Sequence, residues 1–113
     1  MNLNFSLETK NDNTVFTLYE SKLDATTSHY LKAELLIVCK EDKIKVLVLD
    51  LKDVIETDEH GLSALLFAEQ LSLEYEFDLR LANVNPTIVE TMQAMMMDQS
   101  FAFYDSLEEA LEE

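Results

Sequence analysis

The chain has 113 residues, 48% of them hydrophobic, which suits one domain with a continuous core and is too apolar for a disordered acidic chain. Eight Lys and Arg stand against 23 Asp and Glu, a net charge of −15. Such a surface repels phosphate backbones and anionic lipid, so nucleic acid and membrane surfaces are poor partners and a basic or neutral protein is the better one.

The single cysteine, Cys39, excludes an internal disulfide framework and a thiolate metal cluster. It follows Ile37 and Val38 in an apolar run and reads as a small core residue. The first residues, MNLNFSLETK, lack a basic n-region and a long apolar h-region, and no apolar stretch is long enough to span a bilayer. A cytoplasmic chain forming a single domain over 1–113 is the expectation.

In chain order, Asn4 to Thr9 and Thr14 to Tyr19 read as two extended runs joined by a polar turn, a hairpin. Leu31, Leu35 and Val38 then fall on one face of a helix, for which Asp24, Thr26 and Thr27 are all credible N-caps. Ile44 to Leu51, IKVLVLDL, is the strongest strand signal, apolar enough to be covered on both faces as in a parallel sheet. A turn-like stretch, KDVIETDEHG, leads into LSALLFAEQLSLEY, a helix apolar over most of its surface. Phe77 to Ala82 alternates like a strand. Asn85-Pro86 starts the helix PTIVETMQAMMM, with Ile88, Met92 and Met95 on one face. Phe101 to Tyr104 is a short strand, and Ser106 to Glu109 fits a capping box opening a last helix. The order β-β-α-β-α-β-α-β-α predicts an α/β fold with a mainly parallel mixed sheet, its first strand antiparallel.

Catalytic constellations are missing from this pattern. The one glycine, Gly61, cannot build a phosphate-cradling loop, and His29 and His60 sit in no metal-ligand spacing. The acids read as a solvated face. The chain is expected to be no enzyme and to need no metal or cofactor.

The informative segment is Val54 to Leu62, between the most apolar strand and an apolar helix. Open α/β folds place functional loops at this end of a strand. Asp58 can cap the helix, and Gly61 can turn tightly or approach a neighbour closely. A capped strand-to-helix turn accounts for both residues without any function.

The stretch KIKVLVLDLKDVIETDEHGLSALL resembles the signature of STAS domains, typified by bacterial anti-sigma factor antagonists. Asp50, Leu51 and Val54 match the family's strand end, and Asp58, Gly61 and Leu62 match its D-S-S-G-L turn. Leu23-Asp24, Leu81 to Val84 and Phe103 to Ala110 extend the resemblance over nearly the whole chain. It implies a regulator of transcription that binds an anti-sigma factor, itself a serine kinase, and is released when the first serine of the turn is phosphorylated.

This sequence departs at that position. Glu59 replaces the phosphorylated serine and His60 the second one. The usual switch is then lost, and Glu59 either mimics the phosphorylated state or contacts a different partner directly, through an Arg or Lys. By the same resemblance, Asp58, Glu59, His60, Gly61, Leu62 and Ser63 are the expected partner-binding residues. Thr57 and Ser63 are alternative phosphosites, against plainer roles in the turn and on the helix surface. The run Met95-Met96-Met97 is a candidate second interface, because three consecutive helical residues cannot all face one core. The sequence leaves open a homodimer, a STAS subunit docked on a membrane transport complex, and a small-molecule or nucleotide sensor.

Overall fold

The structure, a computed structural model, describes residues 2–10, 12–41 and 43–112. Its centre is β4 (Val46–Asp50), where Leu47, Val48 and Leu49 are all fully buried although their side chains alternate between the two faces of the sheet. A strand buried on both sides needs neighbours on both edges. β2 (Asn13–Leu18) pairs with it in parallel on one side and β6 (Asp78–Ala82) in parallel on the other. β1 (Phe5–Lys10) closes one edge, antiparallel to β2, and β7 (Ala102–Tyr104) closes the other, parallel to β6. The five-stranded order is β1-β2-β4-β6-β7, and the sheet is mixed and mainly parallel with its first strand antiparallel, as the element pattern predicts.

The main core lies on one face, where Phe16, Leu18, Leu47, Leu49 and Leu81 meet the apolar sides of three helices. α1 (Ala25–Glu41) contributes Leu31, Leu35 and Val38, α2 (Glu59–Glu74) Leu62, Leu65 and Leu71, and α3 (Pro86–Ala94) Ile88 and Met92. Of the three candidate caps of α1, Asp24 is the one used. Its Oδ1 accepts the Thr27 N–H at 3.1 Å, and this bond lowers its pKa below the usual 3.8. Cys39 is buried, and burial pushes its thiol up to about 11, so it is protonated at neutral pH and a poor nucleophile.

The second face is covered by the four-residue α4 (Leu107–Ala110), whose Ala110 packs on Val15, Val48 and Ala82. So short a helix has little stability of its own. Ser106 caps it by accepting the Glu109 N–H at 3.1 Å. At its far end the Arg80 guanidinium donates to the carbonyl of Ala110 at 2.7 Å, a group the helix leaves orphaned, and to that of Glu112 just beyond the helix at 2.9 Å. Arg80 also donates to Asp78 at 3.0 Å and lies 5.7 Å from the centre of the Tyr104 ring.

Two features depart from the sequence expectations. The stretch expected as a plain turn contains β5 (Glu56–Thr57), which pairs in parallel with β3 (Lys22–Leu23) as a separate two-stranded sheet. The third helix ends at Ala94 rather than continuing through the methionines. Met96 turns into the left-handed region at φ 59, the Met97 N–H bonds back to the Met92 carbonyl at 2.8 Å, and a 3-10 turn (Asp98–Ser100) comes next. Met97, not Met95, therefore joins Ile88 and Met92 in the core, while Met95 is exposed.

The same left-handed conformation occurs at Asp12, Glu76 and Asn83, all without glycine. Glu76 comes after the Tyr75 cap of α2, where the Phe77 N–H bonds to the Ser72 carbonyl at 3.0 Å, a helix ending that glycine fits without a Cβ penalty. Glu76→Gly is expected to stabilise the domain by about 0.5–1 kcal/mol, the left-handed penalty relieved less the entropy glycine adds to the unfolded chain. Urea unfolding checks this, and a loss of stability would overturn it. Arg80→Met is expected to cost about 2 kcal/mol through the lost charged hydrogen bonds. It should also raise amide exchange at Ala110 and Leu111, and unchanged exchange there would show that α4 does not depend on Arg80.

Candidate functional site

The turn between β5 and α2 is built from side chains that satisfy the start of the helix. Asp58 stands at the N-cap with extended backbone, and its Oδ1 accepts the N–H groups of both His60 and Gly61 at 3.0 Å. One carboxylate oxygen thus serves two of the four donors a helix start leaves unpaired, and its charge suits the positive end of the helix. Thr57 donates its hydroxyl to the Leu23 carbonyl at 2.9 Å, tying β5 to β3 beyond their backbone pairing. The Ile55 and Glu56 N–H groups both bond to the Ser21 carbonyl.

Gly61 closes this arrangement. It lies within α2, and its φ is not positive, so it is not there for an unusual turn. A Cβ at this position would overlap the Leu23 carbonyl oxygen and the Thr57 hydroxyl. The close approach is internal, between the first turn of α2 and the small sheet β3–β5.

The expected site residues divide accordingly. Glu59 and His60 are exposed, their side chains 74% and 60% accessible, and Glu59 Oε1 lies 3.9 Å from His60 Nε2. A pair this open contributes little to stability and is free to be exchanged for an outside contact. Gly61 and Leu62 are buried, Leu62 within the main core, so they shape the turn from behind and present no surface. Ser63 is half-buried and donates its hydroxyl to the His60 carbonyl at 2.6 Å. Both hydroxyls named as alternative phosphosites, Thr57 and Ser63, are thus engaged inside the turn.

The methionine run is not part of this patch. α3 starts, like α2, at the carboxyl edge of the sheet and runs back, which puts Met95 and Met96 at the opposite end of the helical layer from Glu59. Met96 is 89% exposed and Met97 is buried, so Met97 offers no interface. Asp50, at the end of β4, is buried and accepts the Asn83 side-chain amide at 3.1 Å and the Lys52 N–H at 3.2 Å, joining the carboxyl ends of β4 and β6. Sequence reasoning did not pick out Leu66 and Leu73, exposed on α2. The signal was available in a helix apolar on more sides than one core can cover.

Among the described residues no group of three or more His, Cys, Asp or Glu is placed to hold a metal ion, and no helix is long and apolar enough to cross a membrane. The depression beside the turn, lined by Lys22, Leu23, Asp24, Glu56, Thr57 and Asp58, measures about 110 Å³, well below the volume of ordinary small-molecule sites. The carboxyl edge presents the capped helix start with two exposed ionisable side chains, and beside it an open depression of about 400 Å³ lined by Lys52, Asn83, Asn85 and Tyr104 among others.

These features define a small α/β domain with a capped helix start exposed at the carboxyl edge of its sheet. The chain belongs to the STAS domain family, whose model matches residues 4–110. In fold it is similar to an anti-sigma factor antagonist from Mycobacterium paratuberculosis, at a TM-score of 0.83 and 22% identity over 96% of this chain and 91% of that one. It is also similar to a serine-to-glutamate variant of RsbS from Moorella thermoacetica, at 0.81 and 23% over 95% and 91%. A sulfate transporter family protein from Wolinella succinogenes gives 0.80 and 17% over 92% and 85%. At these identities the likeness is one of fold. No curated protein matches the chain in sequence.

Gly61→Ala is expected to destabilise the domain by about 3 kcal/mol, because the obstructing atoms include a backbone carbonyl that cannot swing aside. Asp58→Ala should cost about 1 kcal/mol through the lost cap. Chemical denaturation measures both. A loss at Gly61 no larger than that at Asp58 would show that the turn can relax around a Cβ.

Proposed function

We propose that the chain is a non-catalytic regulatory module that binds a protein through the start of α2, and that its partner is an anti-sigma factor or a related kinase-like regulator in the cytoplasm. The observation that carries this reading is the exposed pair Glu59 and His60, mounted on a turn in which the Thr57 hydroxyl and Asp58 Oδ1 are used internally, in a chain of the STAS family. Asp58, Gly61 and Leu62 hold the turn, while Glu59 and His60 meet the partner. Glu59 occupies the place of the phosphorylated serine in the family's turn and offers no hydroxyl to a serine kinase. The fold likeness to a serine-to-glutamate variant of RsbS supports the view that a STAS domain accommodates glutamate.

A second reading comes from the likeness to a sulfate transporter family protein: a STAS subunit docking on a membrane transport complex. The partner distinguishes the two. The tagged chain, Glu59→Ser and Glu59→Ala are used to capture partners from the native cytoplasm and membrane fractions, and the affinity of the captured protein is then measured. A kinase-like anti-sigma factor bound about tenfold more tightly by Glu59→Ala supports the antagonist reading with Glu59 as a phosphoserine mimic, the size expected for relieving about 1.4 kcal/mol of charge repulsion. A transporter subunit, lost when Glu59 is replaced, overturns that reading and makes Glu59 a direct contact.

A further inference from the structure

α2 turns one face to the core, with Gly61, Leu62, Ala64, Leu65, Ala68 and Leu71 buried. At 100° per residue, the opposite face collects Glu59, Ser63, Leu66, Gln70 and Leu73. Their spacing alternates four, three, four, three, the interval at which one helix offers a continuous seam to another. Leu73 is 76% exposed and Leu66 39%, and neither belongs to a core cluster. The seam runs the 16 residues of the helix, about 24 Å or two heptads.

Charge selects what lies on it. α2 carries Glu59, Glu69 and Glu74 and no Lys or Arg. A second copy is a poor occupant. Parallel pairing opposes like acids along the whole helix, antiparallel pairing sets Glu74 against the acids at the start of the other helix, and either brings together two chains of net charge −15. An anionic lipid surface is repelled for the same reason. A helix with leucine-like residues along one stripe and Lys or Arg beside it would cover Leu66 and Leu73 and neutralise the three glutamates.

We propose that the outer face of α2 is a docking seam for a basic amphipathic helix of the partner protein, gripped by Leu66 and Leu73, with Gln70 between them fixing its register and Glu59 at its head. This rests on the protein-binding reading above and specifies the partner's element.

The probe is a synthetic three-heptad peptide with Leu at a and d and Lys at e and g, the lysines keeping it from pairing with itself. It is titrated into the isotopically labelled full chain at roughly 0.1 M salt, beside a counterpart with every Lys replaced by Glu. The expected result is binding of the basic peptide alone, with amide shifts concentrated on Glu59, Ser63, Leu66, Gln70 and Leu73. The double variant Leu66→Gln, Leu73→Gln should bind at least tenfold more weakly at an unchanged melting temperature. No binding, equal binding of the acidic peptide, or equal binding by the double variant would overturn the proposal. So would a wild-type dimer that the double variant converts to monomer, since the seam would then belong to a second copy. A partner captured through Glu59 but retained by the double variant would sink the seam and leave the turn standing. A partner lost by the double variant yet indifferent to Glu59 would do the reverse.

Discussion

β4 sits where every neighbour must answer to it. Leu47 and Leu49 face three helices while Val48 faces the short α4, and the strand is hydrogen-bonded in parallel on both edges. A strand buried this completely leaves its carboxyl end as the nearest place where the chain can return to solvent. Asp50, still buried there, is tied to Asn83 beyond the next strand, and Leu51 and Val54 remain in the core. Buried Leu51 and Val54 thus fix the path to Ile55, with Lys52 and Asp53 exposed between them, before the turn that carries Glu59 and His60.

The turn beyond Ile55 is held from a second direction. Thr57 and Gly61 both press on the carbonyl of Leu23, one through a hydrogen bond and the other through the lack of a side chain. The segment before α1 and the start of α2 are thereby locked together although they are 34 residues apart in sequence. In most domains a lone glycine would be placed where the backbone needs positive φ. Here, among the described residues, four such positions are filled by Asp12, Glu76, Asn83 and Met96, and the one glycine is kept for the contact that tolerates no Cβ. The steric demand at position 61 outranks the smaller conformational penalties elsewhere.

The parts of the fold legible in the sequence are those governed by short-range rules. The apolar run of β4, the one-sided pattern of α1, and the caps Asp58, Asn85 and Ser106 each depend on a few adjacent residues, and the structure has them in place. The small sheet β3–β5 was not legible, since two residues hold no periodicity and their pairing is a long-range contact. The end of α3 was hidden because Met96 adopts a left-handed conformation that only Gly or Asn would have signalled. At the site, the motif identified the turn but not its orientation. Gly61 and Leu62, expected as contacts, point inward, which the position of the Asp58 cap and the turn of a helix would have indicated. The outward seam on α2 was present in the spacing from Glu59 to Leu73, masked by an apolar character shared with the buried face.

The bracing of the turn bears on how fast a partner is captured. A loop that must order itself on binding loses rate to that search. Here the Asp58 cap, the Thr57 bond and the close contact at Gly61 already hold the helix start, so the binding proposed for it would need no prior ordering of the turn. For the basic partner proposed above, a net charge of −15 would make association a steered process, quick in dilute salt and slowed as counterions screen the field, and would leave the lifetime of the complex to apolar contacts that salt does not touch.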